Sequence, residues 1–389
     1  MSTAVESRFI PAHYDVFGGI DADKTSLAIT FRDRQRVSRS IRIPCRSDHL
    51  LNYLQNHFPG QRVALAYEAG PTGYGLYDAL TQEGYTCLVV APSMVPTAPG
   101  RRVKTNRLDS IKMTDGLEAG QLTSIHIPSA PYRQLRHLVQ LRDTFVRQAT
   151  ASKCRIKALL LFEGIPFPEA PAGSQWTASV IARLKQLPCS GAVRFKLDRL
   201  VLSLQFAQRQ ALDTTREIRR LCLQEPELSA CMAYLMTIPG IGWIVASHLL
   251  ARIGDWRQLR NVRQLAAFLG VAPTEHSTGE TVNRGPISRS GDSRLQNKLI
   301  QGAWSAIRQD PELREFYRRI YSRHPKTYAA RKAIVAVARK MTTRIYAVLH
   351  GQRPYQIRHH AGSAPVTQEE TVCPRERLDD KQNPMGFDA

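Results

Sequence analysis

VFGGIDADKTSLAITFRDRQRVSRSIRIP, residues 16–44, decides the fold of the N-terminal part of the chain. It contains three short apolar runs, VFGGIDAD, SLAITFR and VSRSIRIP, each of strand length and separated from the next by polar residues. Further along, helical patterns at 48–57 and 75–83 alternate with two more apolar strands, VALAYEA and TCLVVAP. This alternation predicts an α/β layered domain over residues 14–130.

The middle of the chain has helical periodicity. Apolar residues recur at helical spacing from 132 to 162 and again from 194 to 223. A proline-rich link, GIPFPEAPAG, and a shorter helix at 179–186 separate the two runs. We expect two long antiparallel helices, similar to a coiled coil, which would form either a dimerisation arm or an intramolecular bundle.

The segment IPGIGWIVA, residues 238–246, predicts a tight turn between two helices, because Gly240 and Gly242 follow a proline. Such a turn leaves backbone N–H groups at the start of the next helix, where the helix dipole favours an anion such as a DNA phosphate. It looks like a helix-hairpin-helix module with both glycines contacting nucleic acid. The alternative is an ordinary helix–helix turn. A last amphipathic helix at 327–349 should dock onto the same, mostly helical domain.

These patterns divide the chain into five segments. They are an N-terminal tail at 1–13, the α/β domain at 14–130, the long-helix region at 131–226, the C-terminal domain at 227–355 and a tail at 356–389. The last segment is polar, contains prolines and has no periodicity, so we expect it to be disordered. The seven cysteines are isolated and form no CxxC pair, which argues against a disulfide framework and a zinc site.

The composition indicates a polyanionic partner. The 389 residues include 54 Lys and Arg against 33 Asp and Glu, a formal net charge of +21, far more than solubility requires. The basic residues are spread over predicted helices, which favours nucleic acid bound on a folded surface. Neither a membrane-spanning apolar run nor a secretory signal pattern occurs, so we expect a soluble cytoplasmic protein that joins the nucleoid when it binds DNA.

Acidic residues lie at the ends of two predicted strands and in one predicted helix. Asp21 ends the first strand, Glu68 ends VALAYEA, and Asp109 lies one helical turn after Asn106 in VKTNRLDSIKM. Carboxylates from two neighbouring strands and a helix would supply oxygen ligands for Mg²⁺, and two such ions suit phosphodiester chemistry. Asp23 could replace the strand-end aspartate, and each residue alone is also compatible with a turn or a solvated surface position.

A hydroxyl-rich, basic segment, HSTGETVNRGPISRSGDSRLQ, occupies residues 276–296. Ser277 or Thr278 could attack a phosphorus atom if arginines or a metal neutralised the developing charge. The candidate phosphate-binding residues are Arg284, Arg289, Arg294 and Lys298. His276 adjoins the hydroxyls, but neighbouring loop residues seldom share a proton usefully, and a plain surface turn is the alternative.

The order of these motifs, GIDADK, YEAGPTGYG, VKTNRLDS, a helical middle, IPGIGWIVA, FLGVAPTEHSTGE and RGPISRSGDSRLQ, resembles the DEDD-type transposases of the insertion sequence 110 family. The likeness runs over about residues 14–355. It implies an N-terminal ribonuclease-H-like domain, similar to the Holliday-junction resolvase RuvC, in which four acidic residues bind Mg²⁺. By motif, Asp21, Glu68 and Asp109 match three of them, and Asn106 stands where the family usually has the fourth carboxylate.

The resemblance also implies a catalytic serine in the C-terminal domain that attacks DNA and forms a phosphoserine link. That serine usually precedes a glycine, whereas here Thr278 precedes Gly279 and Ser277 lies one position earlier. Either hydroxyl could serve, and Ser277 is preferred. The family further implies a composite site shared between subunits of a dimer or tetramer, and a structured guide RNA that pairs with donor and target DNA. A nuclease that uses metal-activated water and a non-catalytic nucleic-acid-binding relic are the alternative functions.

Overall fold

The structure is a computed structural model that describes residues 9–70, 72–95, 105–169, 176–275, 284–287 and 292–357. The chain divides into two compact units, the first ending at Ile127 and the second beginning at Pro128. The first unit is α/β and the second is mostly helical, which confirms the predicted fold classes. Within the described ranges, no helix is both long enough and apolar enough to cross a membrane.

A mixed five-stranded sheet forms the centre of the first unit. Its elements are β1 (Val16–Ala22), β2 (Ser26–Asp33), β3 (Ser38–Pro44), α1 (Ser47–His57), β4 (Val63–Glu68), α2 (Gly75–Gln82), β5 (Thr86–Val90) and α3 (Asn106–Glu118). The strand order is β3-β2-β1-β4-β5. The first three strands are antiparallel, and β4 and β5 run parallel to β1. This arrangement is compatible with the predicted ribonuclease-H-like domain.

The two faces of the sheet bury different helices, because side chains alternate along each strand. One face packs Ile20 and Tyr67 against α1 and α2. The other face packs Phe17 against α3. Helix α3 lies close to the sheet at Gly19, whose N–H donates a 3.0 Å hydrogen bond to Thr114 Oγ1. A Cβ atom at Gly19 would collide with the backbone of α3, so this position requires glycine.

The second unit begins with two long helices and continues into a helical C-terminal part. Its elements are α4 (Ala130–Phe162), α5 (Ala178–Gln186), α6 (Gly191–Gln224), α7 (Pro226–Met236), α8 (Trp243–Ile253), α9 (Val262–Phe268), β6 (Pro273–Glu275), β7 (Arg284–Ile287), α10 (Ser293–Gln309), α11 (Pro311–Tyr321) and α12 (Lys326–Gly351). The start of α4 packs near the end of α6, and the end of α4 packs near the start of α6. The two helices are therefore antiparallel, as predicted, and they pair within one chain.

Helix α12 lies in the largest apolar core of the molecule. Its predicted apolar stripe is buried, at Ile334, Val337, Met341, Ile345 and Val348. The small sheet of β6 and β7 was not predicted, since strands of three and four residues are too short to show an alternating pattern. The predicted disordered tail lies outside the described residues from position 358 onward.

Candidate functional site

Asp21 and Glu68 occupy matching positions at the carboxyl ends of two adjacent parallel strands. The register pairs Ile20 of β1 with Tyr67 of β4, and each acidic residue is the next one along its strand. That apolar pair faces the α1 and α2 side of the sheet, so Asp21 and Glu68 lie on the opposite face, which α3 covers. Asp21 is half-buried and Glu68 is exposed.

Helix α3 places its first turn at the same end of the sheet. Ser110 shares a 2.8 Å hydrogen bond with Thr30 of β2, the residue that pairs with Gly19 of β1. Later residues of α3 pack beside the beginning of β1. The helix therefore runs opposite to β1, and Asn106 and Asp109 lie toward the strand ends that carry the other two acidic residues. The structure thus places all four predicted residues at one end and on one face of the sheet.

The side chains of these residues do not form a closed set of metal ligands. Within the described ranges, no group of three or more His, Cys, Asp or Glu side chains is close enough together to hold a metal ion. Asp109 instead pairs with Lys112, at 2.9 Å. Carboxylate and amide oxygens are the ligands that Mg²⁺ prefers. The residues therefore fit a magnesium ion in kind and share one end of the sheet, but within the described ranges their side chains are not grouped closely enough to hold an ion.

The predicted turn between α7 and α8 uses its two glycines differently. Gly240 has a φ of +84°, and a Cβ atom there would collide with the carbonyl of Gly302 in α10. This glycine is used for packing within the domain. Gly242 is exposed and precedes α8, whose N-terminus has no side-chain cap. The first backbone N–H groups of α8 therefore follow an exposed residue. Nucleic-acid contact at this turn stays a prediction.

Several predicted residues lie beyond what the structure describes. They are Ser277, Thr278 and Arg289, together with the side chain of Arg284. The segment that carries the two hydroxyls connects β6 to β7, which pair as antiparallel strands. The remaining predicted residues, Arg294 and Lys298, lie one turn apart at the beginning of α10.

Those two basic residues belong to a buried ionic cluster that the sequence analysis missed. Asp143 of α4 is 7% exposed and accepts hydrogen bonds from His248 Nε2 at 3.0 Å and Lys298 Nζ at 3.3 Å. Arg294 lies 3.9 Å from the same carboxylate. His248 Nδ1 lies 2.7 Å from the carbonyl oxygen of Ile244. Both ring nitrogens therefore lie within hydrogen-bonding distance of an oxygen atom.

Burial by itself raises the pKa of Asp143, but the hydrogen bond and charge of His248 and those of Lys298 outweigh it and hold this pKa at about 2.

The sequence carried one signal for this cluster, the presence of polar residues at core positions of the helices. Asp143 lies on the buried stripe of α4, and His248 lies within the apolar run of α8. The two are 105 residues apart, so no local pattern joins them.

We expect acid to destabilise the second unit through Asp143. A carboxyl whose folded pKa is about 2 and whose ordinary value is 3.8 contributes stability that is fully present above about pH 4 and is lost toward pH 2. The free energy of unfolding, measured in urea at about pH 6 and pH 2.5, should fall by about 2 kcal/mol more in the wild type than in Asp143→Asn. The control Asp213→Asn alters an exposed pair with Arg216 and should respond to pH like the wild type. If the stability of Asp143→Asn fell with pH as much as that of the wild type, protonation of Asp143 would not be the cause of the loss.

Comparison with known proteins matches two parts of the chain to transposase families. A family model described as "Transposase IS116/IS110/IS902 family" matches residues 232–318. A second family model, for DEDD-type transposases of IS110 elements, matches residues 19–163. The second match includes all four residues at the end of the sheet, and the first includes the hydroxyl-bearing segment and the beginning of α10.

Individual relatives agree with these matches. The chain is 32% identical over 260 residues to "Putative transposase y4qE" of Sinorhizobium fredii, covering 66% of this chain and 62% of that protein. It is 30% identical over 227 residues to the transposase of insertion sequence element IS1328 from Yersinia enterocolitica, covering 58% and 65%. It is 33% identical over 137 residues to a pilin gene-inverting protein of Moraxella bovis, covering 35% and 42%. The matched region thus spans less than two thirds of each of these relatives.

Proposed function

This chain belongs to the IS116/IS110/IS902 family of transposases, and we propose that it cuts and rejoins DNA strands as a transposase or site-specific recombinase. The observation that carries this proposal is the position of Asp21, Glu68 and the first turn of α3 at one end and on one face of the mixed sheet. The relatives named as transposases and as a gene-inverting protein support strand exchange as the overall activity.

In this proposal Asp21, Glu68 and Asp109 hold Mg²⁺, and Asn106 offers an uncharged carbonyl oxygen as a fourth donor. The bound ion would stabilise negative charge on the phosphodiester group. Lys112 neutralises Asp109 while no ion is bound, since its amino group lies 2.9 Å from that carboxylate. The amide at position 106 lowers the total negative charge of the site by one relative to four carboxylates, which weakens its attraction for a divalent cation.

The nucleophile in this proposal is the hydroxyl of Ser277 or of Thr278. Its oxygen forms a bond to phosphorus, and the bond from phosphorus to one deoxyribose oxygen breaks. The departing sugar oxygen takes up a proton in place of the one that the nucleophile gives up, so the phosphodiester is conserved as a protein–DNA link. Arg284 and Arg289 would neutralise the charge that develops on the phosphorus oxygens.

The proposed partners are the DNA of the element ends and target, a structured guide RNA, and further copies of this chain in a dimer or tetramer. The formal net charge of +21 supports binding to nucleic acid. Large apolar side chains on the paired helices support self-association through α4 and α6, since several are well exposed, among them Leu161, Phe162, Phe195 and Phe206.

The test is to find and map the covalent intermediate. The protein is incubated with its element's RNA, end-junction DNA and Mg²⁺, and adducts are located by peptide mass spectrometry. We expect a DNA adduct on Ser277, lost in Ser277→Ala and kept in Thr278→Val; an adduct on Thr278 would reverse this pattern. Strand cutting that survives in the double variant without any adduct would instead show a nuclease that uses metal-activated water. Binding without cutting would show a non-catalytic relic, the alternative that Asn106 favours.

A further inference from the structure

A polar cavity of about 350 Å³ opens in the second unit among α4, α8 and α10. Its charged lining consists of Arg136, Asp143, His248, Arg252, Asp292 and Arg294. Arginines make up half of this set, and the buried ionic cluster of Asp143 and His248 forms part of the wall. The proposed strand chemistry does not use this cavity.

Both carboxylates of the lining already have partners. Asp292 caps α10 and accepts hydrogen bonds from the backbone N–H groups of Arg294 and Leu295, at 3.0 and 3.4 Å. Asp143 accepts from His248 and Lys298. These hydrogen bonds to the two carboxylates thus come from groups other than the Arg252 and Arg294 side chains.

The arginine head groups remain able to bind an anion. The Arg294 side chain is 47% exposed, and its guanidinium lies 3.9 Å from Asp143, beyond hydrogen-bonding distance. Arg252 is exposed and lies over the ring of Phe268, 5.1 Å from its centroid. In the part of the chain that the structure describes, Arg252 forms no ion pair. A guanidinium held over an aromatic ring is oriented at little entropic cost and keeps its N–H donors free.

The local charge balance favours a negative ligand. Two carboxylates, those of Asp143 and Asp292, lie in or beside the lining with four cationic side chains, Arg136, Arg252, Arg294 and Lys298. The repulsion among the cationic groups is weakly screened where side chains are buried. An anion in the cavity would reduce this repulsion. The planar guanidinium of arginine can donate two parallel hydrogen bonds to phosphate oxygens, which a point charge such as the lysine ammonium cannot do.

We propose that this cavity, the Arg252–Arg294 pocket, binds a backbone phosphate of a nucleic acid. The inference rests on the proposed function insofar as nucleic acid is the substrate. Residues 288–291 connect β7 to Asp292, so the chain that leaves the hydroxyl-bearing segment through β7 enters α10 at this pocket. A strand held here by its phosphate would be anchored on the helix that follows that segment. DNA and RNA offer the same phosphodiester group.

The test compares Arg252→Gln/Arg294→Gln with a matched double variant, Arg209→Gln/Arg216→Gln. The control removes the same charge from two exposed α6 arginines that flank Asp213. Binding to a labelled DNA duplex and to an RNA hairpin, each of about 30 nucleotides per strand, is measured by fluorescence anisotropy without Mg²⁺ over a range of KCl concentrations. We expect the pocket variant to bind at least one of them about tenfold more weakly, with a salt slope smaller by about 1. The control should change binding less than about twofold.

A third variant, Arg252→Lys/Arg294→Lys, checks that the loss is specific. It keeps both charges but not the planar donors, so the salt slope should return while the affinity recovers only in part. Loss with DNA alone or RNA alone identifies the source of the phosphate, and either result supports the pocket. Equal losses in pocket and control variants, or no loss with either nucleic acid, overturn it. Binding is measured without cleavage, so the pocket can be confirmed even if the protein forms no DNA adduct. If the adduct forms but the pocket variant binds like the wild type, only the pocket inference fails and the proposed function stands.

Discussion

Asp21→Asn is expected to reduce Mg²⁺-dependent strand cleavage by about a thousandfold while leaving the fold intact, because it removes one charged ligand from the proposed metal site. The side chains are nearly equal in size, and residue 21 lies at the end of β1, half-buried, so packing should change little. A thousandfold loss corresponds to about 4 kcal/mol of lost transition-state stabilisation. Cleavage is measured as the single-turnover rate on labelled end-junction DNA, with circular dichroism to confirm folding.

Asp23→Asn provides the matched control, because Asp23 follows the same strand two residues later. Its side chain is exposed, and its Oδ1 accepts a 2.7 Å hydrogen bond from the N–H of Lys24. We expect the cleavage rate of this variant to stay within about twofold of the wild type. If Asp23→Asn were inactive and Asp21→Asn active, the turn residue and not the strand-end residue would hold the metal.

Much of the first unit could be predicted because its signals are local. Four of the five strands are short apolar runs, and Asp21 and Glu68 lie at or next to the ends of two of them. Parallel neighbours in a sheet bring such ends together, so the position of the acidic residues followed from pattern and general geometry. The ion pair of Asp109 with Lys112 depends on side-chain rotamers, which the pattern of residues does not determine.

The buried cluster of the second unit could not be predicted in the same way. Asp143 looks like an ordinary charged residue of a long helix until α8 and α10 pack against it. Its partners lie 105 and 155 residues away along the chain. Contacts over such separations depend on the tertiary arrangement of helices, and helical periodicity reports only which face of one helix is buried. Arg294 was predicted as a phosphate-binding residue, but its position in one pocket with Arg252 could not be predicted, for the same reason.

The glycine-bearing turn shows where a local prediction needed the tertiary structure. The sequence-based prediction gave Gly240 and Gly242 the same role, that of leaving backbone N–H groups free to bind a phosphate. In the structure Gly240 lies against Gly302 of α10, and Gly242 lies at the exposed start of α8. The first glycine therefore has a packing role that depends on another helix, and only the second keeps the predicted exposure.

We expect Gly240→Ala to lower the free energy of unfolding by about 3 kcal/mol. An L-residue at a φ of +84° costs roughly 1–2 kcal/mol. The new Cβ atom would also collide with the Gly302 carbonyl, and moving α10 away from a well-packed core costs a further amount of about 1–3 kcal/mol. Urea unfolding followed by circular dichroism measures the difference.

Gly242→Ala is the matched control in the same turn. A Cβ atom there meets no atom of the described residues within 4 Å, and its φ of −94° suits any residue. Its stability should change by less than about 0.5 kcal/mol. Equal destabilisation by the two substitutions would contradict the contact between the turn and α10. A Gly242→Ala protein that is as stable as the wild type but binds DNA more weakly would instead show that the exposed start of α8 contacts the phosphate backbone, because a change in stability could not explain the loss.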